Sequence, residues 1–302
     1  VRGLRQAQRV DPGFRDPDGL LLVATDFNLA GHGDSVGPAL ADRLLEGARA
    51  VPGVSAATFA SIVPLAFGGG ESDYTQVEGY TPAPRENTIV AFNNVASDYF
   101  ATLGIPIVRG RGIERRDTRE AQPVAVVNEA FARRYFAGAD PLGRQVTQDG
   151  VAMTVVGVAR DGKYVELAEA PQPLVYRPYA QHYVPYLTLH VRTSGEPRRL
   201  ERALRGVFER TDPTLPVLDV RTMAENLGVA LLFQRLGALL LSVFGALALA
   251  LGGVGLYGVL AFTVASLGGV VRFSRRSRAR PADGTYRSGP PRVSTLPAGS
   301  VV

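Results

Sequence analysis

The sequence predicts an α+β protein, in which a split α/β domain carries an inserted small α/β lobe and is followed by one transmembrane helix and a disordered tail. The helix is predicted from an uncharged run of 36 residues, Leu236 to Val271. A strand and helix pattern that occurs before and again after a loop-rich block predicts the split domain. The tail combines arginine with proline, glycine and serine, which is typical of disorder.

The first α/β unit begins with an apolar, β-prone run at Leu20–Leu29. Apolar residues recur at helical spacing over Ser35–Ala50, which predicts a helix directly after this strand. Alternating segments then predict strands over Val54–Val63, Tyr74–Gly79 and Thr88–Val95.

The inserted block begins with a short helix over Asp98–Leu103. Pro123–Val127 reads as a short buried strand, and Asn128 is a suitable N-cap for a helix over Glu129–Phe136. Another strand is predicted over Val151–Val158.

The second α/β unit consists of a strand at Tyr186–Val191, a helix at Pro197–Arg210 and a returning strand at Val217–Val220. Short connections between these elements favour one subdomain formed by both units. An amphipathic helix follows over Arg221–Gln234, with apolar residues on one side that include Met223. The predicted boundaries are an N-terminal membrane-proximal segment (1–19), the split subdomain (20–95 and 186–220), the inserted lobe (96–185), the lead-in helix (221–235), the transmembrane helix (236–265) and the tail (266–302).

The uncharged run is longer than the roughly 20 residues that a bilayer-spanning helix needs. The alternative is a helical hairpin buried in a soluble protein, and the only candidate turn for it is Gly252–Gly255. Glycine is common in membrane helices, so the membrane interpretation is favoured.

The basic charge of the chain is concentrated after this helix. Residues 271–302 contain seven arginines and one acid, Asp283, so the rest of the chain is close to neutral and no basic nucleic-acid-binding face is indicated. The positive-inside rule places the tail in the cytoplasm and the large domain outside. Because Val1–Gly19 is polar and cannot be an export signal, we expect a membrane segment upstream of the sequence given.

Small residues recur along one side of the membrane helix, which predicts close packing against another helix. They are Ala238, Ser242, Ala246, Ala250 and Gly258. The alternative is that alanine and glycine are simply abundant in this chain.

The residues indicate no catalytic, metal or cofactor site. His32, His182 and His190 are scattered, and the sequence contains neither an HExxH pattern nor a cysteine. Asp161, Lys163 and Glu166 form an acid/base cluster, but charged residues on such a loop are usually solvated.

Asp140–Gly143 is interpreted as a turn between a helix and a strand.

Three glycines, Gly68, Gly69 and Gly70, lack the lysine and hydroxyl residue of a phosphate-binding loop. They predict a flexible loop after the strand that ends near Leu65, and contact with a partner is the functional hypothesis for it.

The stretch PVAVVNEAFARRYFAGADPLGRQV, Pro123 to Val146, resembles the signature of the MacB-like periplasmic core domain of FtsX-like ABC-transporter permeases. The segments Val10–Phe14, Asn93–Ile113 and Val155–Gln181 are similar to further parts of that family. Ser242–Ala265 resembles the helix that opens the second half of its large duplicated, so-called orphan, permeases.

This resemblance implies a porter-like subdomain with an inserted lobe, and a permease that couples ATP-driven membrane motion to export or efflux outside the cytoplasm, a process called mechanotransmission. The implied partners are a separate cytoplasmic ATPase, other permease helices, a second copy in a homodimer, and membrane lipid.

The chain departs from the family pattern at about Ser266, where an arginine-rich coupling segment and further membrane helices would be expected. Two alternatives to a transporter subunit therefore remain open. The chain could be a single-pass, membrane-anchored module that binds a partner, or the non-functional remnant of a truncated gene.

Overall fold

The computed structural model describes residues 13–33, 35–66, 70–165 and 169–277, with side chains as far as Leu260 except at 230–236 and 238. The chain divides into two compact units, Val1–Leu236 and Gly237–Val302. The first unit has mixed α and β structure and the second contains an apolar helical segment, so the predicted α+β class is confirmed. The end of the predicted tail, 278–302, lies outside the described residues.

The first unit is built on one mixed sheet. In the described residues its strands are β1 (Leu20–Asp26), β2 (Val54–Ala60), β3 (Glu71–Tyr74), β4 (Gln76–Val77), β5 (Ile89–Val95), β6 (Ile107–Gly110), β7 (Val124–Asn128), β8 (Gln145–Gln148), β9 (Val151–Ala159), β10 (Leu174–Pro178), β11 (Tyr186–Thr193) and β12 (Asp219–Thr222). Their order is β12-β1-β11-β2-β5-β10-β7-β9-β8-β4, and β3 and β6 pair with β5 and β9 beside this path.

The described helices are α1 (Gly37–Arg49), α2 (Tyr99–Leu103), α3 (Glu129–Phe136), α4 (Glu201–Thr211) and α5 (Met223–Ser277). Short 3₁₀ turns are found at Pro17–Gly19, Phe27–Ala30 and Pro197–Leu200. Each helix predicted in the first unit is present, although the one predicted over Pro197–Arg210 begins as a 3₁₀ turn.

Strand β1 is covered on both faces, so its residues from Leu20 to Ala24 are all buried. Leu21 and Val23 lie in a cluster with the apolar sides of α1 and α4. On the opposite face, Leu20 and Leu22 lie in a second cluster that contains α2 and the first residue of α5. Because side chains alternate across a strand, a fully apolar run is the pattern that two covered faces require.

A third cluster lies on α3 and the strands around it. Phe131 and Tyr135 of α3 pack with Val127 of β7, Val155 of β9 and Val175 of β10. Val77 and Val90 belong to the same cluster, although the predicted boundary at residue 95 assigns them to the other subdomain. The domain boundaries as such remain a prediction.

Strand β10 links the two parts of the sheet, and the sequence pattern predicts no strand there. It pairs in parallel with β5 and antiparallel with β7, and all five of its residues are buried. Arg177 is the reason that the pattern was missed, since a charged residue next to Pro178 does not suggest a central strand. Its guanidinium lies 3.4 Å from the centroid of the Phe92 ring, and Nε donates to Asn94 Oδ1 at 2.8 Å.

Several predicted strands have different ends in the structure, including the first and the last in the chain. The run Leu20–Leu29 leaves the sheet at Asp26, whose carboxylate accepts a hydrogen bond from Asn28 N and caps a 3₁₀ turn. The strand predicted at Val217–Val220 lies at Asp219–Thr222, where it pairs with β1 so that Leu21 stands opposite Thr222. Pro216 and Leu218 precede it as a loop that is bonded to β1 through their carbonyl and amide groups.

The second unit contains the one helical segment of the described chain that is long and apolar enough to span a bilayer. It extends from Leu239 to Leu260, with a mean hydropathy of 2.3 and no residue buried. The helix continues through Gly252–Gly255, so these glycines do not form the turn that a hairpin would need. It also reaches Ser277, beyond the predicted boundary at residue 265, since the uncharged run extends to Val271 and no proline occurs before Pro281.

Asn128 provides a test of how the sheet is held together. Its Oδ1 accepts hydrogen bonds from Phe131 N and Leu174 N, and its Nδ2 donates to Gln172 O. Asn128→Ala removes the α3 cap and leaves buried groups unpaired, so we expect the free energy of unfolding to fall by about 3 kcal/mol. Urea unfolding of the full chain in detergent, followed by circular dichroism, measures this loss. The exposed Asn28→Ala is the control, and equal losses in both variants would contradict the assigned role.

Candidate functional site

The start of α5 is fixed by a reciprocal pair of hydrogen bonds. Glu225 Oε2 accepts from Thr222 N at 2.8 Å, and Thr222 Oγ1 accepts from Glu225 N at 3.1 Å. This is a capping box, and the spacing Thr-x-x-Glu could have revealed it in the sequence. Arg198 donates to both carboxylate oxygens of Glu225 at 2.7 Å, and these bonds, with the one from Thr222 N, lower the pKa of Glu225.

The side of α5 that faces the sheet is buried in its first turn. Met223 is fully buried, and Leu227 packs against the same cluster, as the predicted amphipathic pattern requires. Asn226 is only 2% exposed, and its Nδ2 donates to Pro64 O at 3.1 Å. The first turn of α5 is therefore part of the core of the first unit.

A pocket of about 310 Å³ lies beside this turn. Its walls are the sheet face with Leu22, Ala24 and Thr188, the segment from Ser61 to Ala66 together with Gly70 and Glu71, and the residues Tyr186, Asp219, Arg221 and Asn226. We call it the junction pocket because four separate parts of the chain meet there. Sequence patterns gave no signal for it, since its walls come from residues up to about 200 positions apart.

The polar groups of the junction pocket are concentrated near α5. Arg221 Nε donates to Asp219 Oδ2 at 2.5 Å, and its terminal nitrogen donates to Asn226 Oδ1 at 3.4 Å. Of the three glycines predicted to form a partner-contact loop, Gly70 lines the pocket, whereas Gly68 and Gly69 lie outside the described residues. Contact of this loop with a partner stays a prediction.

A second cleft, of about 440 Å³, separates α1 from residues 113–120. Asp42 on α1 has a raised pKa because it is partly buried and lies close to Glu46. Asp117 on the other side accepts two hydrogen bonds from Arg111, at 2.7 and 2.8 Å. Burial opposes ionisation of Asp117, but these bonds outweigh it and lower its pKa. The Asp117 carboxylate therefore stabilises the loop in which it lies.

Two residues of the acid/base cluster, Asp161 and Lys163, form hydrogen bonds with other parts of the domain. Asp161 accepts hydrogen bonds from Ala130 N at 2.7 Å and from Arg133 at 2.6 Å, so it caps the start of α3. Its side chain is only 15% exposed, and the expectation that it is solvated is therefore wrong. Lys163 Nζ donates to the carbonyl of Glu169, and Glu166 lies outside the described residues.

The three histidines lie apart, and the described residues contain no group of three or more side chains that could bind a metal ion. His32 is bonded to Asp212 at 2.6 Å. His190 is fully buried on β11, and burial lowers its pKa to about 4. His182 also has a pKa of about 4, through burial and the nearby charge of Arg177.

The turn predicted at Asp140–Gly143 is present, with Asp140 Oδ1 accepting a hydrogen bond from Leu142 N.

The small residues predicted to pack against another helix are exposed on α5 wherever their side chains are described. They are Ser242, Ala246, Ala250 and Gly258, while the side chain of Ala238 lies outside the described part of the chain. Helix packing through these residues stays a prediction.

Residues 5–207 match the family described as the MacB-like periplasmic core domain. The chain belongs to this family. A macrolide export ATP-binding/permease protein, MacB, from Neisseria gonorrhoeae is 20% identical over 218 residues, which are 68% of this chain and 31% of the relative. A probable syringafactin export ATP-binding/permease protein, SyfD, from Pseudomonas syringae pv. syringae is 23% identical over 206 residues, 62% of this chain and 31% of the relative.

The domain is also similar to solved structures. The periplasmic region of MacB from Actinobacillus actinomycetemcomitans aligns over 73% of this chain and 95% of its own, with 14% identity and a TM-score of 0.49. The extracellular domain of the noncanonic ABC-type transporter YknZ from Gram-positive bacteria aligns over 66% of this chain and 100% of its own, with 15% identity and a TM-score of 0.42. The chain spans about a third of the length of the curated relatives that it matches.

The buried His190 predicts a pH-dependent stability. The unfolded chain binds a proton at this histidine near pH 6.5, but the folded chain does so only near pH 4. Between these values the unfolded state holds more protons, so the free energy of unfolding falls as the pH falls, by about 3 kcal/mol over the window. His182 acts in the same direction.

Urea unfolding of the full chain in detergent at a series of pH values between 4 and 7 measures this slope. His190→Gln should flatten it, and His182→Gln, at a partly exposed position, should flatten it less. An unchanged slope in His190→Gln would show that the proton is bound elsewhere.

Proposed function

We propose that this chain forms the extracytoplasmic core and one membrane helix of an ABC-transporter permease subunit, which couples ATPase-driven membrane motion to export or efflux outside the cytoplasm. The observation that carries the proposal is that α5 begins inside the core of the domain and also contains the candidate span. A displacement of the helix would then act on residues that the sheet packs against. Such a design suits mechanotransmission.

Membership of the family and the names of the relatives support the permease part of the proposal. Those relatives are named as export ATP-binding/permease proteins, for macrolides in one case and syringafactin in another. The sequence here has no GxxxxGK[ST] loop, so ATP hydrolysis is assigned to a separate cytoplasmic ATPase subunit. The protein itself is proposed to be non-enzymatic.

The proposed location is a bacterial inner membrane. The large domain is extracytoplasmic, and the arginine-rich tail is cytoplasmic, following the positive-inside rule. Other permease helices, lipid and a second copy of the subunit are the proposed neighbours of the span.

A second candidate is a single-pass anchored module that binds a partner without transport. It is suggested by the sequence after Ser266, which differs from the coupling segment of the family pattern. The two candidate functions predict different results when the chain is tested for co-purification with an ATPase.

We expect the tagged full chain, purified from membranes of its native host in mild detergent, to retain an ATPase subunit with a phosphate-binding loop. Mass spectrometry identifies the subunit, and release of phosphate from ATP measures its activity. Leu241→Arg combined with Leu249→Arg is the matched control, because each arginine at the centre of a span costs roughly 3 kcal/mol of insertion free energy. A wild-type chain that reaches the membrane and retains no ATPase would favour the anchored module.

The small-residue side of the span provides a separate prediction. Ala246→Leu and Ala250→Leu should weaken association of the helix with its partner, because larger side chains prevent close approach of the backbones. A two-hybrid or energy-transfer assay in membranes measures association. Leu247→Ala, which lies next to this side of the helix, is the control. If Ala246→Leu and Ala250→Leu both associate as strongly as the wild type, a helix contact through this side is ruled out.

A further inference from the structure

The segment Ser61–Ala66, which follows β2, is held at three points by three different parts of the fold. We propose that this segment, here called the clasp, is the element that couples the first turn of α5 to the centre of the sheet and to the loop around Tyr164. The inference rests on the proposed function and names the residues that would carry its motion. The three points of the clasp are Ile62, Pro64 and Leu65.

The first contact joins the clasp to the centre of the sheet. Ile62 N donates to Asn93 Oδ1 at 3.0 Å, and Asn93 Nδ2 donates back to Ile62 O at 3.0 Å. Asn93 lies on β5 and is fully buried. Its side-chain amide thus satisfies both backbone groups of Ile62, as a neighbouring strand would.

The second contact joins the clasp to α5. Asn226 Nδ2 donates to Pro64 O, and the opposite end of the same amide accepts from Arg221. The Asn226 side chain is therefore oriented from both ends. Because buried polar groups are costly to leave unpaired, a shift of the α5 turn must either carry Pro64 with it or lose this bond.

The third contact joins the clasp to the loop after β9. Leu65 N donates to Tyr164 O at 2.9 Å. The hydroxyl of Tyr164 lies 3.1 Å from the hydroxyl of Tyr99 and 3.1 Å from that of Tyr176. Asn93 Nδ2 in turn reaches Tyr99 Oη at 3.4 Å. Hydrogen bonds and backbone therefore form a closed ring from Ile62 through Asn93, Tyr99 and Tyr164 to Leu65.

Leu65 is the point of the ring at which the backbone is strained. Its φ is 60°, in the left-handed region that residues other than glycine rarely adopt, and it is only 1% exposed. The bond to Tyr164 and the burial of its side chain hold it there. Release of that bond permits a return to ordinary φ, which would move the chain just before the glycines predicted to contact a partner. Coupling of this kind needs an element with two arrangements, and the proposal assigns that role to Leu65.

Hydrogen exchange of the full chain in lipid nanodiscs, read at single-residue resolution by mass spectrometry, tests the clasp. Asn226→Ala should speed exchange of the Ile62 and Leu65 amides about tenfold or more, because the bond from α5 to the clasp is lost. Leu189 and Val191 of β11 are internal references and should not change. Asn28→Ala, which removes an exposed asparagine side chain outside the clasp, is the matched control and should leave the clasp amides as they are. Unchanged Ile62 and Leu65 amides in Asn226→Ala would overturn the proposal.

A second variant keeps the test valid if Asn226→Ala does not fold. Tyr164→Phe removes only the hydroxyl from the ring of hydrogen bonds. Since coupling between two sites is reciprocal, this variant should speed exchange not only at Leu65 but also at the amide of Asn226. A clasp that merely braces the loop would leave Asn226 unaffected, and that result would also overturn the proposal.

Hydrogen exchange at the same amides also shows whether a negative result contradicts the clasp or the proposed permease function. With the co-purified ATPase present, a non-hydrolysable ATP analogue should change exchange at Leu65 in the wild type and not in Asn226→Ala. A wild type without any nucleotide response would reject the proposed function, while the effect of Asn226→Ala without nucleotide would still support the clasp. Equal responses in wild type and variant would reject the clasp alone.

Discussion

The structure depends on one constraint, which is that the apolar strand β1 has to be covered on both faces. Leu20 to Ala24 of β1 are buried without interruption, and no alternation with polar residues exists that could face water. One face is covered by α1 and α4. The other is covered by α2 and by Met223, the residue with which α5 begins. The helix that contains the candidate span is therefore also part of the hydrophobic core, and its first turn cannot be moved without exposing that core.

Buried asparagines provide the polar connections of this fold. Asn93 bonds to Ile62, Asn128 to Gln172 and Leu174, and Asn226 to Pro64. A side-chain amide has a donor and an acceptor at a fixed spacing, so it can satisfy an irregular backbone where no strand is available. Each of these residues joins segments that are far apart in the chain. Together they pair backbone groups of irregular segments that lie against the sheet.

Local patterns predicted the elements whose determinants are local. Helix α3 has the predicted bounds, because Asn128 caps it and Phe131 and Tyr135 form its apolar side. Strands β6, β8 and β10 were missed, since they are short and contain arginine, glutamine or proline, and their pairing is set by partners distant in sequence. The junction pocket was missed for the same reason. The Thr222-x-x-Glu225 spacing marks where α5 begins, but it does not indicate what α5 contacts.

The antiparallel pairing of β1 with β12 brings the two ends of the folded unit together, which affects how its gene segment can be moved between proteins. Leu21 stands opposite Thr222, so the chain enters and leaves the folded unit at neighbouring positions. A unit whose ends are adjacent can be inserted into a host sequence without forcing the flanking segments apart. Gene rearrangements can therefore exchange, duplicate or delete a domain of this kind as one cassette while the remainder of the host protein keeps its arrangement.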